Sequence, residues 1–288
     1  MTLFVAKPTG PRLPNAQRGR LGLGSAGVIA LVIVILAAIT AVVGVWITPH
    51  DPTAPNLSYA WIGPDATYWL GYDVQGRDVL SRVLAGARSS MLGPLVVVVV
   101  CMTIGVLLAL VAAWHGGLID TLVSSGMDIL FAFPAILLAA LAAAVFGAGL
   151  WPAVVALTIA YTPYVARLLR GAMLQARNQP YIAALEVQGA SVPSIWFRHL
   201  LPNVLPLVVA QSTILFGYAM IDIAILSYLG LGIQPPAPDW GVMVSENQSG
   251  ILQGYPLPAF AASVCIVAVV VSMNLLGERL LQASGGRR

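Results

Sequence analysis

The sequence predicts an all-α, polytopic membrane protein with six transmembrane helices, and three observations predict it. Hydrophobic residues make up 59% of its 288 positions and charged residues 9%, where ordinary soluble domains carry about 25% charge. Apolar runs near the roughly 20 residues that a helix needs to cross about 30 Å of hydrocarbon recur along the chain. When the loops between those runs are assigned alternately to the two sides, the basic residues collect on one of them, as the positive-inside rule requires.

Span one, 25–47, is free of charge, and its 23 residues exceed the roughly 7–15 of a signal-peptide core. Span two runs from Met91 to about Ala113 around Val96–Val100. Span three, 124–146, contains Asp128 and Pro134. Spans four, five and six are about 150–169, 204–230 and 256–277, with Asp222 inside the fifth. Lys7, Arg12, Arg18 and Arg20 place the N-terminus in the cytoplasm, and six crossings return the C-terminus there. On this assignment 11 of the 14 Lys and Arg fall inside, and Arg77, Arg82 and Arg88 outside.

The chain thus divides into a basic cytoplasmic segment, 1–24, and one transmembrane domain, 25–288. The domain carries an outer segment at 48–90, a cytoplasmic loop at 167–203 and a second outer loop at 231–256. Tyr59, Trp61, Tyr68, Trp69 and Tyr72 in the outer segment read as interface anchors or as substrate contacts. Its second half, 76–90, has the character of an interfacial helix leading into span two. Gly116-Gly117 marks a turn in a short loop at 114–123. Pro235, Pro236 and Pro238 are expected to keep the second outer loop free of helix.

Several function classes are excluded or disfavoured. Lys7 is the only lysine, so the chain holds no Gly-Lys-Ser/Thr phosphate loop and no ATPase site of that kind. Cys101 and Cys265 sit in apolar runs, as packing residues rather than metal ligands or a disulfide. His50, His115 and His199 show no His-x-x-Glu-His pattern, and no Gly-x-Ser-x-Gly elbow occurs. An ion-coupled transporter or channel would show an internal repeat and more ionisable residues at membrane depth. The chain is therefore expected to be non-catalytic and to bind no cofactor or metal of its own.

The cytoplasmic loop is the most informative polar stretch. It holds Arg167, Arg170, Arg177, Glu186, Arg198 and His199. Pro180 suits the first turn of a short helix over 181–188, and Gly189 suits its left-handed C-terminal stop. A second short helix is expected from Pro193 to about His199, with Pro202 in the first turn of span five. The result is a helix–turn–helix bracket clamped between two spans.

Gly189, followed at a distance by His199-Leu200-Leu201-Pro202-Asn203, resembles the cytoplasmic loop of binding-protein-dependent ABC importer permeases, in the version of the dipeptide/oligopeptide/nickel subfamily. Leu70-Gly71-Tyr72-Asp73-Val74-Gln75-Gly76-Arg77-Asp78-Val79-Leu80-Ser81-Arg82, with Gly86-Ala87-Arg88-Ser89-Ser90, is similar to the same subfamily. So are Leu226-Ser227-Tyr228-Leu229-Gly230-Leu231-Gly232, Pro235-Pro236, Asp239-Trp240-Gly241, Asp128-Ile129 and Phe133-Pro134. The likeness covers about 25–280 and points to the C-type second permease subunit. The chain departs from the family's Glu-Ala-Ala triplet. Ala183 stands where its Glu is usual and Leu185 where its second Ala is, leaving Ala184, while Glu186 and Gln188 replace a basic and an apolar residue.

The resemblance implies a type I importer permease of a bacterial cytoplasmic membrane, forming a path for dipeptides or oligopeptides. Nickel complexes or haem are the alternative cargo. The implied partners are a second homologous permease, two ATP-binding subunits that hold the ATP and Mg, an extracytoplasmic binding protein and the lipid bilayer, with no nucleic acid. Ala183, Ala184, Glu186, Gly189, Arg198, His199, Leu201, Pro202 and Asn203 would then meet the ATPase. Asp73, Arg77, Asp78, Arg82 and Arg88 would form either a docking surface for the binding protein or internal pairs, Asp78 with Arg82 at i,i+4. A carboxylate inside a span costs about 2.5–3.5 kcal/mol, so Asp222 marks either the path or a helix–helix contact. Asp128, nearer the inner end of its span, reads as interfacial.

Overall fold

The computed structural model describes residues 24–285; the expected basic segment 1–24 lies, but for Gly24, outside the described residues. Ten α-helices make up most of the described residues, and the only strand-like pairing among them is an isolated bridge between Tyr72 and Asp78. Five helical stretches are long and apolar enough to cross a membrane, and a bent helix pair makes six when counted as one span.

Helix α1 (Gly24–Val43), extended by a 3-10 turn at Gly44–Trp46, is span one. Helix α2 (Val79–His115) joins the expected interfacial helix and span two into one rod of 37 residues, about 55 Å long at 1.5 Å per residue. That exceeds the hydrocarbon thickness of about 30 Å. The expected loop at 114–123 is nearly absent: Gly116 alone separates α2 from α3 (Gly117–Phe131). Span three is broken, α3 and α4 (Ala135–Phe146) meeting at 76°. Pro134 explains the break, because it has no N–H to donate and pushes Phe133 away from helical geometry. Neither half, at 15 and 12 residues, could cross alone.

Helix α5 (Leu150–Arg177) continues eight residues past its expected end, so the first third of the cytoplasmic loop is helix. Helices α6 (Pro180–Val187) and α7 (Val192–Ile195) form the bracket. A π-turn at Trp196–Leu200 then runs without a break into α8 (Leu201–Tyr228). Pro202 is therefore inside one continuous helical stretch rather than at a free helix start. The π-turn, closed by Leu201 N–H on the Trp196 carbonyl, widens the backbone just where the proline ring would crowd the preceding turn. The second outer loop is helical after its prolines: α9 (Trp240–Leu252) is started by Asp239, which accepts from the N–H groups of Gly241 and Val242. Helix α10 (Leu257–Gly285) is the last span. The core lies among α2, α5, α8 and α10, with α1 at its flank.

Candidate coupling surface and membrane cavity

At the end of the bundle assigned to the cytoplasm, the bracket combines an exposed tip with buried roots. Ile182, Ile195 and Leu200 are almost wholly buried in one cluster with Ala109, Leu110 and Ala113 of α2 and Leu169 and Met173 of α5. Each such side chain contributes about 1.5–3 kcal/mol by leaving water. Trp196 meets Trp114 and His115 of α2 edge-on, with ring centroids 6.2 Å away in both cases. Arg177 donates to the carbonyls of Ala113 and Trp114 and lies over the Trp114 ring, capping the negative end of α2. Between these roots, Ala183, Ala184, Glu186, Gly189, Arg198, Pro202 and Asn203 are exposed, and His199 and Leu201 are partly so. Val187 is 90% exposed, an apolar knob at the tip. Gly189 has φ +77° with open space around it, so glycine is needed there for backbone shape and not for room.

The other basic residues of the loop turn inward along the bundle. Arg170 holds Asp120 of α3 through both carboxylate oxygens, and Arg167 holds Asp128. These pairs fasten the inner half of the broken span to α5. Asp128 is thus an exposed helix–helix ion pair. Asp222 is half-buried and accepts a hydrogen bond from the Tyr161 hydroxyl of α5. Both line a cavity of about 430 Å³ between α5, α8 and the α3–α4 break, together with Phe131, Phe133, Tyr164 and Tyr218.

The opposite end favours internal pairs over a docking surface, though not the pair of Asp78 with Arg82. Asp73, Arg77, Asp78 and Arg82 are buried, and of the five residues considered for docking only Arg88 is exposed. Asp73 closes a tight loop, its Oδ1 accepting from the N–H groups of Gln75 and Arg77 at 2.8 and 2.9 Å. Gly76, at φ +69°, is the turn, and a Cβ there would meet the Asn56 carbonyl oxygen at 1.8 Å. Asp78 does not pair with the Arg82 side chain: it caps α2 through Ser81 and touches His50 at 3.3 Å. Arg77 instead binds Asp73 and Glu246, and Arg82 binds Glu246 at 3.0 Å with Asp73 at 3.4 Å. These side chains are deep enough that each charge needs a counter-charge, and the two arginines share the two carboxylates.

Glu246 comes from α9, 164 residues beyond Arg82, and its role carries no local signal in the sequence. The same junction is reinforced by Val74 N–H on Asn247 and by Trp240 Nε1 on the Val83 carbonyl. Asp239 accepts from Ser90 at 2.8 Å; burial pushes its carboxyl above the usual carboxylate range, against the pull of those hydrogen bonds. The outer aromatics pack on one another: His50, Tyr68, Tyr72 and Tyr59 stack in succession, and Trp61 stacks on Tyr255; Tyr72 is buried, while Tyr59 and Trp69 are exposed.

Comparison with known proteins identifies the family. Residues 102–284 match the family described as binding-protein-dependent transport system inner membrane component. The chain is 34% identical over 256 residues to the dipeptide transport system permease protein DppC of Alkalihalophilus pseudofirmus, covering 89% of this chain and 84% of that one. It is 40% identical over 221 residues to the glutathione transport system permease protein GsiD of Pectobacterium atrosepticum, covering 77% and 73%. To the probable D,D-dipeptide transport system permease protein DdpC of Escherichia coli it is 35% identical, covering 87% and 84%. Its fold is similar to a chain of the inward-facing MetNI methionine ABC transporter, with a TM-score of 0.54 and 24% identity over 72% of this chain and 96% of that one. The chain belongs to the family of binding-protein-dependent transport system inner membrane components, and is a multi-pass permease of the ABC importer class.

Proposed function

We propose that this permease carries small peptides inward across a bacterial cytoplasmic membrane, as a non-catalytic subunit that binds neither ATP nor Mg itself. It would work with a second permease, two ATP-binding subunits and an extracytoplasmic binding protein. The observation that carries the reading is the bracket, an exposed tip rooted among the inner ends of α2, α5 and α8. A partner that pushes on Ala183–Gly189 moves Ile182 and Ile195, and through them three spans at once. Arg167 and Arg170 pass the same displacement to α3.

For ATP to drive transport, the partner must bind the inward- and outward-open states with different affinity, because equal affinity shifts no population. The cavity beside Asp222 belongs to the path in this reading. The names of the relatives, dipeptide and glutathione permeases, favour peptides over nickel complexes or haem. The test is uptake into proteoliposomes holding the whole transporter and its binding protein, with and without ATP. ATP-dependent uptake of dialanine or glutathione is expected. Uptake of a nickel complex or haem with no peptide uptake would overturn the cargo.

A further inference from the structure

We infer that Asp222 and the aromatic cavity around it form a subsite for the ammonium group of the cargo during its passage through the membrane. This deepens the peptide reading and rests on it. The first ground is charge. The neighbouring α3 carboxylates Asp120 and Asp128 are each matched by an arginine, while Asp222 receives only the neutral Tyr161 hydroxyl and, among the described residues, no cation. That hydrogen bond occupies Oδ2 and leaves Oδ1 without one. A carboxylate at membrane depth is costly unless something offsets its charge.

The second ground is shape and lining. The cavity, about 430 Å³, lies in the range of small-molecule sites, about 300–1,000 Å³. Phe131, Phe133, Tyr161, Tyr164 and Tyr218 line the cavity with the carboxylate, and aromatic faces attract an ammonium most strongly where water is scarce. The third ground is backbone. The α3–α4 break lines this same cavity, and irregular backbone at membrane depth is tolerated where it is buried or borders a wet space. Arg167, the nearest basic residue on α5 toward the inner end, is engaged by Asp128 and by the Phe131 ring, so it does not neutralise Asp222. A peptide's α-ammonium supplies the missing cation, and Tyr161 holds the carboxylate toward it as a positioning residue.

The experiment uses the complete transporter in proteoliposomes, with tritiated dialanine or glutathione as cargo and a photo-crosslinking amino acid at Tyr218. Asp222→Asn is expected to lower ATP-driven uptake and Tyr218 crosslinking by about tenfold or more, the scale of a lost charged hydrogen bond. Asp222→Glu should recover most of both, and Tyr161→Phe should give a smaller loss. Assembly of the transporter, followed by co-purification, should not change. Wild-type-like uptake by Asp222→Asn overturns the subsite while leaving the peptide reading intact. Loss of the second permease from Asp222→Asn also overturns it, because Asp222 then serves as a subunit contact. If wild type carries neither peptide, the cargo reading fails and the subsite falls with it.

Discussion

The two ends of α2 are built on opposite plans. At the end holding Val79, charge is taken into the interior: Asp73, Arg77, Arg82 and Glu246 neutralise one another where little solvent reaches. At the end holding His115, apolar roots are buried and the tip of the bracket, its polar and small residues with Val187, is left outside. A buried ion cluster adds little net stability over an apolar core, but it penalises any arrangement that separates its members. It therefore fixes the junction of two chain segments far apart in sequence. The bracket has the reverse property, since its tip touches little of its own chain and is free to be held by another. One helix of about 55 Å joins an outer lobe held by buried ion pairs to an inner surface with an exposed tip.

Four substitutions would break or sharpen that contrast. Glu246→Ala leaves Arg77 and Arg82 with Asp73 as their only carboxylate partner among the described residues. It should destabilise by about 3–5 kcal/mol, read as a large fall in thermal unfolding temperature in detergent, and little loss would contradict a locked outer end. Ile195→Ala, at a fully buried root, should cost about 2–4 kcal/mol. In the assembled transporter it should also let ATP hydrolysis proceed with less uptake, and unchanged coupling would show that the roots transmit nothing.

Gly189→Val meets no neighbour but must hold a positive φ, so it should cost about 1–2 kcal/mol. Uptake should fall much further than membrane-inserted protein measured by immunoblot; equal falls in the two would make the site structural only. Glu186→Ala, at an exposed position, should change stability by less than about 0.5 kcal/mol. A change in ATPase affinity measured by co-purification would then assign it a contact, taking over from the Glu that Ala183 replaces. No change would leave the apolar tip at Val187 as the main handle.

Much of the fold was legible. Spans one, two, four, five and six follow from apolar length alone, since a backbone in hydrocarbon must satisfy its own hydrogen bonds and a helix does so locally. The α6 boundaries follow from Pro180 and Gly189, whose backbone preferences are properties of single residues. The helix over 240–252 was missed because the three prolines before it stop helix only where they stand. The run of Arg77, Asp78 and Arg82 invited a surface reading, because charge is usually solvated. Only the return of α9 over the start of α2 brings Glu246 to them.

The sequence by itself determined that the chain crosses a membrane repeatedly, contains no Gly-Lys-Ser/Thr phosphate loop and carries a helix–turn–helix bracket between two spans. Those properties depend on composition, on periodicity and on residues close together in the chain. Tertiary structure alone decided which charges are buried and that Asp222 pairs with Tyr161 beside a cavity. Each of these depends on side chains dozens to more than a hundred residues apart, and the free energy of such a contact exists only once packing has brought them together.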